Sequence, residues 1–411
     1  MSPASSTRLP EHRPTSMRRV VIVGAGVAGV EAALALAIAH PTAQVMLIGS
    51  TTTLRLPPDL VYVPFGVEPT SVEVPLQRAL ARFGIVTVLG GLLRVDAVNH
   101  VVELADRSLG YDALVIATGA RPVFDGSLQL RSLRDARRVG SELAAFAVPA
   151  ARRRSIVVHA PAASTWSAPA FEFAVLLDAW LRACGTRDAV DVVVTHAGGE
   201  PLDQFGPEAS DLLQSLARQR RIELLGGRGD EAFGGIDSDL VIEFPLTTAL
   251  AIPGLPALDA NGFQAVAGRR PDGITAGAID FEVAPDVYVI GDGNSLPIKT
   301  AFAAAWEARA LALHLGGRPE LLCVDVDDVP FDRVTYELDL VTSTLSTTFD
   351  AASRLLPPFV DPHVDARIID RAPRKLAGSL IRQHLLGRTG IDASAQAFRA
   401  IVAKATASLP A

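Results

Sequence analysis

The sequence predicts an α/β protein with two parallel sheets, one domain inserted in the other, and a smaller α+β region at the end. Three observations carry this. Short β-branched runs recur at Val20–Val23, Ile156–Val158 and Val287–Ile290, the texture of strands buried on both faces. Alanine- and leucine-rich helical stretches follow them. The joining turns are tight, and strands alternating with helices imply right-handed parallel crossovers.

The elements follow in order. Residues 1–17, with Pro3, Pro10 and Pro14 and no apolar core, read as an unstructured leader, and Met17 offers an alternative start. Residues 18–125 read as the first part of a nucleotide domain: strand Val20–Val23, a glycine turn, a helix from Val30 to Ala39 ended by Pro41, strand Gln44–Ile48, and strand Tyr111–Ala117. Residues 126–245 form a second α/β cycle, with strand Ser155–His159, helix Pro169–Ala183 and strand Val190–Thr195. Residues 246–318 resume the first domain through strand Val287–Ile290 and a helix over Ala301–Leu315. Residues 319–411 turn to β-like alternation around Arg333–Thr342 and then to short amphipathic helices.

Composition narrows the function. At 411 residues, 49% apolar and 20% charged, the chain is globular and long enough for several domains. A net charge of −7 argues against a nucleic-acid partner. Glu31 interrupts the most hydrophobic run, so no spanning helix is expected. Cys184 and Cys323 stand too far apart in sequence for a CxxC pair or cysteine scaffold, which fits a reducing cytoplasm. Among eight histidines there is no HExxH or paired spacing, and no metal site is expected.

The strongest local signal is Gly24-x-Gly26-x-x-Gly29 between a strand and a helix. Gly24 permits the turn, Gly26 admits a pyrophosphate, and Gly29 lets helix and strand close together. The helix N-terminus then offers bare N–H groups and partial positive charge to the anion. The carboxylate expected at the end of the second strand is missing: Gly49-Ser50-Thr51 stands there, and Ser50 offers one hydroxyl instead.

Three pieces in order, Gly24–Gly29, Ala117-Thr118-Gly119-Ala120-Arg121-Pro122 and Val289-Ile290-Gly291-Asp292, resemble the FAD-dependent pyridine nucleotide-disulfide oxidoreductases over Arg18–Gly317. The resemblance implies two Rossmann-like domains and non-covalent FAD, with Asp292 hydrogen-bonding the ribityl–pyrophosphate region and Thr118, Gly119 and Gly291 beside it. Pro297-Ile298-Lys299-Thr300-Ala301 is similar to the Pro-Lys-Thr segment of the sulfide:quinone oxidoreductase and type II NADH dehydrogenase branch. There Lys299, Thr300 and a helix N-terminus face the flavin's pyrimidine edge. The loop Arg55–Gly66, including Pro57, and the segment Ala372–Gly378 resemble a less characterised group of actinobacterial-looking flavoenzymes.

Two departures from that pattern shape the expected function. After Val158 the chain reads His159-Ala160-Pro161-Ala162-Ala163-Ser164-Thr165-Trp166, without glycine, which disfavours conventional NAD(P)H binding. Trp166 occupies the place of the redox cysteine in a segment similar to Cys-x-Gly-Pro-Ala-Tyr-Glu, so cysteine-pair sulfide oxidation is not expected. Trp166, Glu172 and Pro57 are substrate-pocket candidates, with core packing as the competing reading for Trp166 and Cys184 a small buried hydrophobe. No acid–base residue can be named.

Residues 366–411 carry +6 against −13 for the rest, and Phe398, Ile401, Val402 and Ala405 share one helical face. That pattern fits docking on anionic lipid, or packing on its own domain or on a twin subunit. The expectation is therefore a cytoplasmic flavoenzyme, with peripheral membrane contact as the alternative. It would pass two electrons between a small-molecule donor and an acceptor of quinone type. The competing class is a degenerate flavoprotein acting as a binding or scaffold subunit.

Overall fold

The structure is a computed structural model that describes residues 18–55, 57–66, 73–123, 127–161, 167–201, 207–228, 236–266, 281–296, 299, 301–316 and 381. The leader, Trp166, Thr300 and Cys323 lie outside the described residues. So do the strand expected at 333–342, the segment Ala372–Gly378, the basic amphipathic stretch and, apart from Ile381, the C-terminal α+β region.

In chain order the main elements are β1 (Arg19–Val23), α1 (Val27–Ala39), β2 (Gln44–Gly49), β3 (Val86–Leu89), β4 (Leu92–Asp96), β5 (Val101–Leu104), β6 (Ser108–Gly110) and β7 (Ala113–Ile116). Then come α2 (Leu133–Leu143), β8 (Arg154–His159), α3 (Ala168–Ala183), β9 (Val190–Thr195), α4 (Pro207–Arg220), β10 (Ile222–Leu225) and β11 (Leu240–Glu243). β12 (Glu282–Ala284), β13 (Val287–Val289) and α5 (Ala301–Leu315) complete the described set. A 3₁₀ segment, Pro57–Phe65, lies between β2 and β3.

The first sheet has the order β12-β13-β7-β1-β2-β3, parallel except for β12 against β13. Its middle is as apolar as its sequence requires, since Val20, Val21 and Ile22 expose nothing to solvent. Side chains alternate across the sheet. Val20 and Ile22 join a cluster with α1 and α5, while Val21 and Val23 join one with Val95, Val102 and Leu104 of the antiparallel β4-β5-β6 meander. The alanine-rich faces of α1 and α5 let these helices pack closely against one another.

Glu31, which breaks the hydrophobic run in sequence, does not face water. It is fully buried on α1, and its Oε1 accepts the backbone N–H of Ile381, itself buried in the same cluster, at 2.8 Å. The C-terminal segment thus reaches the helix that follows the glycine turn.

The second sheet, β10-β9-β8-β11, is parallel throughout. Its core takes in Phe171 and Phe173 of α3, Ala136, Val139 and Leu143 of α2, and Leu60–Val63 with Phe65 of the 3₁₀ segment. The chain after β2 therefore crosses to the second sheet, with the Phe65 ring 5.1 Å from Phe173 and 6.3 Å from Trp180. Under α3, Asp178 is fully buried between Arg182 (2.9 Å), Arg187 (2.5 Å) and Arg220 (3.1 Å). The Arg187 guanidinium also donates to the Val190, Arg220 and Arg221 carbonyls, tying α3, β9 and the end of α4 together. Cys184 caps the end of α3 and is half-buried, which corrects the expectation of a buried hydrophobe; a helix end cannot be enclosed as its middle is.

Candidate functional site

β1 lies between β2 and β7, so the connections leave it in opposite directions and a crevice opens at the carboxyl ends of the strands. Val23 pairs in register with Ile116, and Ile116 with Val289. The three motif turns therefore leave the sheet at one level, side by side, although 260 or more residues separate the first from the last.

Their contacts explain the glycines. The Gly24 N–H donates to Ile48 O at 2.8 Å, and a Cβ on Gly24 would overlap the Ala117 carbonyl. A Cβ on Gly29 would overlap the Gly24 carbonyl. At Gly26 a Cβ would meet nothing within 4 Å, so this is the position that faces open space. Gly26 is also the N-cap of α1, with no side-chain cap and no acidic residue in the first turn. The helix starts at Val27, three residues before the expected Val30, because Gly29 is taken up in its first turn. Thr118 and Gly119, both half-buried, follow Ala117, and Gly119 adopts φ +68°, a left-handed turn.

The Gly291–Gly293 turn is built from α5. Glu307, 2% exposed, accepts the Gly291 N–H at 2.6 Å and the Asn294 Nδ2–H at 2.7 Å. That clamp fixes the backbone on either side of Asp292. The Asp292 side chain is exposed on this turn, with surrounding protein that desolvates its carboxyl. Desolvation there pushes it above the usual carboxylate range, against a smaller opposing pull from the Lys299 ammonium. Lys299 is half-buried; its Nζ donates to Asn294 O at 2.5 Å and sits 4.5 Å from the Phe263 ring centroid. It belongs to the turn and is not a solvated lysine.

Near the end of β2 a cavity of about 440 Å³ is lined by apolar Leu47, Leu76 and Val88, small Ala25 and Gly49, and polar Thr51, Thr52, Gln77 and Arg107. Ser50 is exposed beside it. No carboxylate lines this cavity.

The residues present fit a dinucleotide. Bare amides at an uncapped helix suit a pyrophosphate, the open face at Gly26 lets it approach, and Asp292 can take hydroxyl hydrogens.

At the carboxyl end of the second sheet, buried His159 and Thr195 pair through Nδ1 and Oγ1 at 2.6 Å, and Gln129 Nε2 donates to Glu243 at 2.9 Å. These polar side chains close the carboxyl ends of the strands themselves; residues 162–166 of the turn beyond them lie outside the described residues. The Glu172 carboxylate, 7% exposed, accepts the Tyr62 hydroxyl of the 3₁₀ segment that begins at Pro57. Pro57's segment and Glu172 thus adjoin. Sequence reasoning missed Glu307, Asn294, Tyr62 and Arg107. Glu307 had a signal, a lone carboxylate in an alanine-rich helix; Tyr62 and Arg107 had none.

The family model described as pyridine nucleotide-disulphide oxidoreductase matches residues 18–308. The chain belongs to this family. A curated sulfide-quinone reductase from Aquifex aeolicus (strain VF5) is 27% identical over 239 residues, 55% of this chain and 54% of that protein. A curated putidaredoxin reductase from Pseudomonas putida is 39% identical over 110 residues, 25% of this chain and 26% of that one. The chain's matches thus span about half and a quarter of these relatives' lengths. The solved sulfide:quinone oxidoreductase from Aquifex aeolicus superposes with TM-score 0.61 at 20% identity, over 74% of this chain and 78% of that one, and shares the fold. Among the described residues no helix is long and apolar enough to cross a membrane, and no group of His, Cys, Asp and Glu could hold a metal.

Proposed function

We propose that this protein is an FAD-dependent oxidoreductase that passes two electrons from a donor other than NAD(P)H to an acceptor of quinone type. The observation that carries this is the meeting of three distant turns at one sheet edge, with an uncapped helix on the first and Asp292 on the last. When bound, FAD supplies the two-electron redox chemistry.

The chain's own residues do the rest. The first amides of α1, with Gly26, bind the pyrophosphate, and Thr118, Gly119, Gly291 and Asp292 hold the chain beyond it. Lys299 stands just before α5, where its positive charge and the helix dipole favour an electron-rich group, and Thr300 is a candidate from the sequence motif alone. Within the segment that begins at Pro57, the Tyr62 hydroxyl donates to the buried Glu172 carboxylate, and this pair is the candidate wall of a substrate pocket. The packed edge of the second sheet leads into a run without glycine, His159 to Trp166, and that sequence supports a donor other than a nicotinamide nucleotide.

The same packed edge, together with Trp166 in place of the redox cysteine, favours a second reading: a flavoprotein retained as a binding or scaffold subunit. Anaerobic spectroscopy separates the two. The purified protein should be yellow, should release FAD on heating, and should be bleached by neither NADH nor NADPH. After dithionite reduction it should be reoxidised within seconds by a soluble quinone. A colourless protein that refuses FAD overturns the proposal, and a reduced flavin that no quinone reoxidises leaves the scaffold reading.

A further inference from the structure

The cavity at the end of β2 carries a charge pattern of its own. In nucleotide folds of this kind a carboxylate at that strand end takes the ribose hydroxyls and repels a phosphate placed there, whereas a nearby arginine accommodates one. Here Gly49-Ser50-Thr51 replaces the carboxylate, and the ionisable side chain lining the cavity is Arg107, from the turn between β5 and β6. Leu47, Leu76 and Val88 give the cavity an apolar wall suited to a purine, and Thr51, Thr52 and Gln77 add neutral donors and acceptors. Asp106 binds the guanidinium through Nε (3.0 Å) and Nη2 (2.5 Å), and both residues are about half exposed.

We propose that Arg107 is the specificity residue of the adenosine subsite, and that this cleft prefers an adenosine bearing a ribose 2′-phosphate to one with free ribose hydroxyls. The inference rests on the reading of the first sheet as a dinucleotide site. It adds that 2′-phosphorylated adenine nucleotides compete with FAD for that site. No carboxylate lines the cavity to reject the added phosphate, and with Asp106 on the Nε side of the guanidinium the Nη1–Nη2 edge of Arg107 offers two hydrogen bonds to one.

The test is calorimetric titration of the flavin-stripped full chain with ADP and with 2′-phosphoadenosine 5′-diphosphate, followed by FAD reloading. The wild type should bind the 2′-phosphorylated nucleotide at least about 5-fold more tightly than ADP, a typical worth of one charge-assisted contact. Arg107→Ala, at an exposed turn, should keep its melting temperature and lose the preference. Ser50→Glu, restoring a carboxylate, should invert it, and Asp106→Ala should preserve or strengthen it. Equal or tighter binding of ADP by the wild type, a preference that survives Arg107→Ala, or loss of ADP binding in Asp106→Ala each overturns the proposal. Failure of both nucleotides to bind overturns it too. Nucleotide binding without FAD reloading would instead sink the flavin reading and leave Arg107's role standing.

Discussion

At residue scale, the three glycines of the first turn do different work, and substitution separates them. Gly26 has space for a Cβ and a φ of −81°, so Gly26→Ala should fold with an unchanged melting temperature and yet fail to retain FAD. Gly29→Ala would press a methyl into the Gly24 carbonyl and should lose soluble expression altogether. Asp292 makes the opposite trade. Its carboxyl sits where desolvation disfavours the charge, so Asp292→Asn should leave the melting temperature of the flavin-free protein no lower than wild type while FAD retention falls. Tyr111 is 5% exposed, and its hydroxyl has no partner among the described residues. Burial, helped by the charges of Asp286 and Asp96, pushes its phenol from 10.0 to about 12. The folded protein therefore holds a proton that the unfolded chain releases above pH 10. Stability is fully present below that pH and is lost between about pH 10 and 12. Tyr111→Phe should be about 1 kcal/mol more stable in denaturant titrations at pH 7 and should show a shallower alkaline loss.

At element scale, the glycine spacing was legible because its reasons are local: a turn, a close approach and a helix start within six residues. The β-branched strands were legible for the same reason, a buried parallel strand being apolar on both faces. The 3₁₀ segment Pro57–Phe65 was not, because a proline-bearing run with no period reads as loop until its partner is known. Nor was the arginine clip on Asp178, whose partners come from three elements up to 42 residues away. Asp178→Asn takes the carboxylate away from buried Arg187 and should destabilise the second sheet by about 3–5 kcal/mol, read as an early transition in thermal melts. An unchanged melting profile would show that the cluster is ornamental.

At the scale of the whole molecule, the chain after β2 holds the two sheets together. Phe65, 6% exposed against Phe173 and Trp180, belongs to the second core although it departs from the first. Phe65→Ala should cost about 3–5 kcal/mol and split a single calorimetric transition into two. The Tyr62–Glu172 bond lies in the same seam, so flexibility introduced there should reach the pocket wall before it reaches the crevice. By itself the sequence determined the α/β class, the order of strands and helices, the glycine turn, and the resemblance that links three short motifs. Each depends on contacts a few residues apart or on composition along one element. Only the tertiary structure decided that Glu307 positions the Gly-Asp turn, that Lys299 stands on Phe263, that Glu172 answers to Tyr62, and that an arginine lines the cavity beyond β2. Those partners are chosen by sheet register and helix packing between distant segments, and a one-dimensional pattern carries no record of which of many compatible side chains will meet.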